Sequence, residues 1–178
     1  IIGNIALIIL FALVGFYFYK LSQKYPQGFK CKTIIIIFSI LMVIDQGIKL
    51  IIKFFFFEDY IDIIKGFLSF NPIINTDGSW LNARFSTGIS FPLLIFVNFI
   101  AIVLFFELYR YYLSKGNNSF YGDMCFLFIF SGSLCSLIDK IFYGGSLDFI
   151  GISNLFIADI KDIYINLGIL FFIISIVI

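Results

Sequence analysis

Five long apolar stretches dominate the sequence, and they restrict the chain to a membrane-spanning fold. A helix needs about 20 predominantly apolar residues to cross a bilayer. The stretches cover residues 1–19, 33–57, 91–109, 120–143 and 162–178. Of the 178 residues, 61% are hydrophobic and only 13% are charged, whereas a soluble domain has about 25% charged residues. We therefore predict an all-α polytopic membrane protein built as a bundle of four to five transmembrane helices.

The first apolar stretch is expected to be a spanning or anchoring helix. It lacks the basic start and the small-residue cleavage site that a secretory signal peptide carries. We assign residues 1–32 to an N-terminal anchor helix and a loop, and residues 33–178 to the main membrane domain. Since the first residue is Ile rather than Met, we expect the sequence to be part of a longer protein with a truncated last span.

The charges between the apolar stretches predict an orientation. Residues 20–32 carry four lysines and no acid, and residues 110–118 carry one arginine and one lysine and no acid. Positively charged loops stay on the cytoplasmic side, so residues 58–90 and 144–161 are expected on the outer face. Turn residues and alternating apolar residues in the segment 58–90 predict a small extracytoplasmic β-rich element there.

The residue types exclude several kinds of active site. The sequence has no histidine, which rules out histidine-based triads and imidazole metal ligands. Cys31, Cys125 and Cys135 show no C-x-x-C spacing, so neither a disulfide framework nor a zinc site is indicated. The lysines and arginines form no basic stripe, which gives no sign of a nucleic-acid partner.

The segment 131–162 holds four acidic residues between two apolar stretches: Asp139, Asp148, Asp159 and Asp162. Carboxylates so close to a bilayer are costly and are usually functional. We expect Asp148 and Asp162 to lie at the outer ends of consecutive helices and to meet there. Two adjacent carboxylates share a proton, so that one activates water as general base while the other polarises a peptide carbonyl. The structural alternative is that Asp148 caps a turn and Asp162 caps a helix start.

Five short motifs occur in order along the main membrane domain. They are D-Q-x-x-K at residues 45–49, N-T-D-G-S-W at 75–80, S-G followed by L-I-D-K at 131–140, G-S-L-D-F at 145–149, and an aspartate six residues before Gly168. Together they resemble the lipoprotein signal peptidase (signal peptidase II) family of membrane aspartic endopeptidases. The family's G-x-V-V-D-F pattern brings its first catalytic aspartate onto Asp148.

The resemblance leaves two registers for the second catalytic aspartate. The family pattern is F-N-x-A-D followed six residues later by Gly, and Asp162 stands six residues before Gly168. In this preferred register Asp159 takes the place of Asn, as a polar neighbour that orients the pair. The literal Ala158-Asp159 sequence gives the competing register, but Gly168 is then too far away and Phe156 replaces Asn.

Two further motif positions have both a structural and a functional interpretation. Asp45 and Lys49 lie at i and i+4 on one helix face, so they can pair. The pair is either purely structural, or it holds its helix against the catalytic region or contacts the substrate. Asn75 is either a turn former or a clamp for the backbone of a bound peptide.

The S-G…L-I-D-K motif departs from the G-G-x-x-G-N-x-x-D-R pattern that it resembles. Cys135-Ser136 stands where Gly-Asn is usual, so Ser136 is expected to supply weaker hydrogen bonds than Asn. Lys140 replaces Arg after Asp139 and gives up bidentate contacts. These departures indicate a divergent member of the family.

The resemblance implies a function, a substrate and a location. The enzyme would remove signal peptides from lipoprotein precursors, cutting before a diacylglyceryl-modified cysteine at the outer face of the bacterial cytoplasmic (inner) membrane. We expect a monomer without cofactor or metal that binds cyclic-peptide inhibitors of the globomycin type. Two alternatives are a transporter component whose acids line a polar path, and an inactive family relative that serves as a binding protein.

Overall fold

The computed structural model describes residues 2–75, 91–153 and 155–177. Within these residues, five helices are long and apolar enough to cross a membrane. They are α1 (Ile2–Lys24), α2 (Cys31–Ile51), α3 (Phe91–Ser114), α4 (Phe120–Phe142) and α5 (Ile160–Val177). The predicted multi-pass helical bundle is therefore confirmed. Helices are the solution that a bilayer favours, because they satisfy every backbone polar group within the segment itself.

Helix α4 is the centre of the bundle. Half of its most apolar stretch is buried, compared with 22% or less in the other four helices. Its inner face packs against α5 and forms most of the apolar core, which consists of Phe120, Met124, Cys125, Leu127, Phe128, Tyr164 and Phe171. The outer helices expose large apolar side chains such as Phe11 and Phe96, as expected for surfaces that face lipid.

Two glycines allow α4 and α5 to approach each other closely. A Cβ atom at Gly132 of α4 would lie 2.6 Å from Cγ1 of Ile165 and 3.1 Å from the backbone oxygen of Lys161. A Cβ atom at Gly168 of α5 would overlap Ile129. Small residues are enriched where membrane helices touch for this reason. The first turn of α5 is consequently held tightly against α4.

A four-stranded antiparallel sheet lies at one end of the bundle. Its strands are β1 (Ile61–Ile64), β2 (Leu68–Asn75), β3 (Ser146–Ile152) and β4 (Phe156–Ala158), in the order β1-β2-β3-β4. The predicted β-rich element is confirmed by β1 and β2, while residues 76–90 lie outside the described part. Strands β3 and β4 come from residues 144–161, where the sequence predicts only an exterior loop.

The sheet holds β3, the strand that follows α4, against the end of the helix bundle. Leu147 and Phe149 of β3 pack with Ile52, which belongs to a short π-helix (Ile52–Phe56) that continues α2. Between these two apolar residues, Asp148 pairs with Ile73 of β2 in the strand register. Since side chains alternate between the faces of a strand, this register fixes where Asp148 can point.

The opposite end of the bundle is tied together by Asp123 at the start of α4. Its carboxylate accepts hydrogen bonds from the backbone N–H of Phe29 at 2.8 Å and from the hydroxyl of Tyr109 at 2.7 Å. These bonds join the α1–α2 loop to α3 and α4. The two loops predicted to be basic therefore share one end of the bundle, and the sheet lies at the other.

Candidate active site

Buried charges are concentrated where α2, α4 and α5 meet the sheet. Seven charged residues there are at most 8% exposed: Asp45, Lys49, Asp139, Lys140, Asp148, Asp159 and Lys161. A charge taken out of water is costly unless it is paired and hydrogen-bonded. The pairing of these groups therefore shows how the site is built.

Three aspartates converge at the centre of this site. One carboxylate oxygen from each of Asp148, Asp159 and Asp162 lies within 4.8 Å of the other two. The expectation that Asp148 and Asp162 meet agrees with this arrangement. The expectation that Asp148 lies at a helix end is wrong, because the residue belongs to strand β3. The sheet, rather than α4, carries this carboxylate to the start of α5.

Asp159 and Asp162 form a reciprocal cap at the start of α5. The backbone N–H of Asp162 donates to Oδ1 of Asp159 at 3.3 Å, and the N–H of Asp159 donates to Oδ2 of Asp162 at 3.2 Å. Such a capping box satisfies two N–H groups that a helix start leaves without partners. The capping role considered for Asp162 is therefore present, and the same side chain belongs to the aspartate cluster.

The two capping aspartates differ sharply in environment. The side chain of Asp159 is fully buried, whereas that of Asp162 is 43% exposed. Asp159 makes ion pairs with Nζ of Lys161 at 2.8 Å and with Nζ of Lys49 at 2.7 Å. Asp162 is the carboxylate of the two that water and a substrate can reach.

Lys161 of α5 lies among the three aspartates. Its Nζ is 2.8 Å from Asp159, 3.8 Å from Oδ1 of Asp148 and 4.0 Å from Oδ1 of Asp162. It also donates a hydrogen bond to Oγ of Ser146, which in turn donates to Oδ1 of Asp148 at 2.6 Å. Three clustered carboxylates have the ligand chemistry for a divalent cation, but here an ammonium group supplies the positive charge.

The sequence analysis does not single out Lys161. The available signal is its position, two residues after Asp159 and at the start of an apolar helix, where a charge is expensive. In the register that makes Asp162 catalytic, Lys161 also stands at the Ala of the F-N-x-A-D pattern.

Lys49 joins α2 to the other side of the site. Its Nζ is 2.9 Å from Asp45 and 2.7 Å from Asp159, and it also pairs with Asp139 of α4. The side chain of Gln46 donates to both Asp45 and Asp139 at 3.0 Å. The predicted Asp45–Lys49 pair is present, and Lys49 also ties its helix to the aspartate cluster.

The remaining predicted residues lie at the margins of the site. Lys140 donates to Oγ of Ser136 at 2.7 Å, on the side of α4 that faces Asn98 of α3. Asn75, at the end of β2, hydrogen-bonds the carboxylate of Asp148. The rest of its predicted motif, residues 76–80, lies outside the described part of the chain.

Burial and charge give two of the carboxylates opposite properties. Burial raises the pKa of Asp148, and the neighbouring Lys161 and Ser146 offset this only in part. Burial also acts on Asp159, but Lys161 and Lys49 together outweigh it and hold the pKa of Asp159 below its ordinary value. Asp159 is therefore held in its ionised form by the two lysines, whereas Asp148 takes up a proton more readily than an ordinary carboxyl.

The fold and the site can be compared with known proteins. The family model described as "Signal peptidase (SPase) II" matches residues 35–178, which is most of the chain. The protein belongs to the signal peptidase II family. Membership of this family implies an aspartic protease that acts on lipoprotein precursors, in agreement with the resemblance of the five motifs. The family match begins within α2 and leaves α1 outside.

Two solved structures, both described as bacterial membrane enzymes, share the fold of this signal peptidase II family member. They align with a TM-score of 0.68 at 21% and 22% sequence identity, covering 85% of this chain and 92% and 96% of theirs. At this identity the likeness concerns the fold alone. The comparison with curated proteins gave no match.

Proposed function

We propose that this protein removes the signal peptide from diacylglyceryl-modified prolipoproteins, with Asp148 and Asp162 as its catalytic pair. The observation that carries the proposal is the approach of their carboxylate oxygens to within 4.8 Å. The chain also belongs to a family of aspartic peptidases. Two carboxylates this close disfavour each other's ionisation, so the pair titrates as one unit that can hold a single proton, as in aspartic proteases.

The environments of the pair support a division of roles. Asp148 is buried and its pKa is raised, and the single proton that the pair holds is donated to the carbonyl of the scissile peptide bond. Asp162 is partly exposed and takes a proton from a water molecule that attacks the carbonyl carbon. When the tetrahedral intermediate collapses, the C–N bond breaks, the proton taken from water passes to the leaving amine of the cysteine, and one hydroxyl proton of the intermediate returns to the aspartate pair as the carbonyl re-forms.

Asp162 fits the second catalytic position better than Asp159. A fully buried carboxylate held by two lysines at 2.7 and 2.8 Å is committed to those ammonium groups and remains ionised. Such a group can neither share a proton with Asp148 nor reach a substrate. The capping bond to Asp162 makes Asp159 an orienting neighbour, as the preferred register implies.

The close contact between Lys161 and Ser146 raises a second mechanism, in which the serine is the nucleophile and the lysine its base. The other contacts of Lys161 disfavour it. Because Nζ also pairs with Asp159 at 2.8 Å, the lysine remains an ammonium ion and has no lone pair with which to accept a proton.

The proposal includes the setting of the enzyme. The site would lie at the outer face of the bacterial cytoplasmic membrane, where the substrate's peptide bond and its lipid both reach it. Residues 1–32 would form an anchor added to the peptidase domain at 33–178. We propose a monomer that is inhibited by globomycin-type cyclic peptides.

The function is tested with a synthetic precursor peptide in two forms, one carrying diacylglyceryl on the cysteine and one with a free thiol. Purified enzyme in detergent micelles is mixed with each, and the products are identified by mass spectrometry. We expect a single cut immediately before the cysteine in the lipid-modified peptide alone. Equal cleavage of both forms, a cut elsewhere, or no cleavage contradicts the proposal.

A further inference from the structure

At three positions of the site, this chain has a polar or charged residue where the family pattern has an apolar or uncharged one. Ser146 stands at the first Val of G-x-V-V-D-F, counted back from Asp148. With Asp162 as the catalytic residue, Asp159 stands at the Asn and Lys161 at the Ala of F-N-x-A-D. Ser146 lies in β3, whereas Asp159 and Lys161 lie together at the start of α5. Compared with the pattern residues, the three add one negative and one positive charge to the site.

The three residues are joined through Lys161. Lys161 pairs with Asp159 at 2.8 Å and donates to Oγ of Ser146. Ser146 then donates to Oδ1 of Asp148 at 2.6 Å. A continuous chain of hydrogen bonds therefore runs from Asp159 through Lys161 and Ser146 to the proposed catalytic Asp148. We call Ser146, Asp159 and Lys161 the lysine network.

We propose that Lys161 is a positioning residue, held by Asp159, that orients Asp148 through Ser146 and sets the charge beside the catalytic pair. The inference rests on the proposed assignment of Asp148 and Asp162 as that pair. None of the three network residues need touch the substrate.

The charges of the site explain why the three residues depend on each other. The titratable groups that interact with Lys161 come from every packed element: Lys49 of α2, Asp139 and Lys140 of α4, Asp148 of β3, and Asp159 and Asp162 at the start of α5. Carboxylates outnumber ammonium groups in this set. Without Lys161, the buried excess of negative charge would be larger and Ser146 would lose its fixed donor.

The converse loss is equally unfavourable. Without the carboxylate of Asp159, the near acidic partners of Lys161 would be Asp139, Asp148 and Asp162. A closer ion pair with Asp148 or Asp162 would tie up an oxygen that the reaction needs. The pattern residues Val, Asn and Ala carry no charge, so replacing all three removes the conflict together with the network.

The direction of the pH effect follows from the contacts. Lys161 lowers the pKa of Asp148 against the effect of burial. Removal of the ammonium therefore raises the pKa of Asp148, and the pH profile of kcat/KM moves to higher pH. Nζ of Lys161 lies 3.8 Å from Oδ1 of Asp148, close enough for an opposite charge to lower the pKa of a carboxyl, so a measurable move of the profile to higher pH is expected.

The test compares Lys161→Ala, Asp159→Asn and the triple variant Ser146→Val/Asp159→Asn/Lys161→Ala. Cleavage of the lipid-modified peptide is measured across pH, together with thermal unfolding in micelles. Lys65→Ala is the control, because Lys65 is an exposed lysine in the β1–β2 turn and removes the same charge far from the site. Asp148→Asn and Asp162→Asn test the underlying assignment.

We expect Lys161→Ala to lower kcat about 100-fold, the scale of a misplaced catalytic group, with KM little changed and the profile moved to higher pH. The triple variant should recover to within about 10-fold of the native kcat, which is the signature of coupled positions. Recovery of folding and activity in the triple variant supports the proposal even where Lys161→Ala fails to fold.

Several outcomes overturn the inference. Native activity and pH profile in Lys161→Ala would do so, as would a triple variant no better than Lys161→Ala. If instead Asp148→Asn or Asp162→Asn retains native activity, the catalytic assignment itself fails, which separates the two proposals.

Discussion

Replacement of Lys49 should lower the stability of the fold strongly. Its ammonium pairs with Asp45, Asp139 and Asp159, and all four side chains are fully buried. Lys49→Met keeps the apolar stem but leaves three carboxylates without this counter-charge. Lys53→Met is the matched control four residues further along, since Lys53 is exposed.

The magnitude follows from burial. Removing one partner of a buried ion pair costs about 3–5 kcal/mol, because the other charge remains uncompensated. For a chain of this size that corresponds to a fall in Tm of about 6–20 °C. Lys53 makes only a cation–π contact, 4.9 Å from the ring centre of Tyr143, which contributes about 0.5–1 kcal/mol at an exposed site. Lys53→Met should therefore lower Tm by about 4 °C or less.

The free cysteines offer a direct assay. Cys125 and Cys135 are buried and Cys31 is exposed, so unfolding in micelles is followed by the reaction of a thiol-specific fluorophore with the two buried thiols. Since Asp159 loses one of the two ammonium groups that lower its pKa, it takes up a proton more readily in the variant, and the loss of stability in Lys49→Met should become smaller as the pH falls. Equal Tm values for Lys49→Met and Lys53→Met would refute the reasoning.

Three further predictions concern packing and charge elsewhere. Gly132→Ala should lower both Tm and cleavage, because its Cβ would press on Ile165 and on the Lys161 backbone; Gly15→Ala, which meets nothing within 4 Å, should change neither. Asp123→Ala should lower Tm by about 2–12 °C, since it leaves the Phe29 N–H and the Tyr109 hydroxyl without their acceptor; the kcat for the peptide should stay native, as the change is at the far end of the bundle. Because the pKa of Asp159 is lowered, its stabilising contribution is complete above about pH 4 and is lost as the pH falls further, so Asp159→Asn should show a weaker loss of Tm on acidification, measured with the same fluorophore.

The sequence predicts the helices well because membrane spans have a strong signal. The apolar stretches locate all five helices, and errors are confined to their ends; α1, for example, continues to Lys24 rather than ending near residue 19. The strands are harder to predict. Strands β3 and β4 are short, and the pairing of β3 with β2, on which β4 is added, depends on contacts between segments about 75 residues apart in the chain.

The sequence predicts only part of the site, because the rest also depends on contacts between distant segments. Spacing and motif order bring Asp148 and Asp162 together, but they do not show that β3 carries Asp148. The sequence does not identify Lys161 as a site residue, because a single lysine near a helix end is ordinarily a solvated charge. Its burial depends on the close approach of α4 and α5 at Gly132, which is a property of the packed bundle rather than of any local pattern.

The central claim is that water is activated by two aspartates. It is tested most directly by the cleavage rate of the lipid-modified peptide in four variants: Asp148→Asn, Asp162→Asn, Asp159→Asn and Ser146→Ala. We predict loss of all detectable cleavage in the first two, with reduced but measurable rates in the others. Substantial cleavage by either Asp148→Asn or Asp162→Asn, or abolition only in Asp159→Asn or Ser146→Ala, would contradict the account.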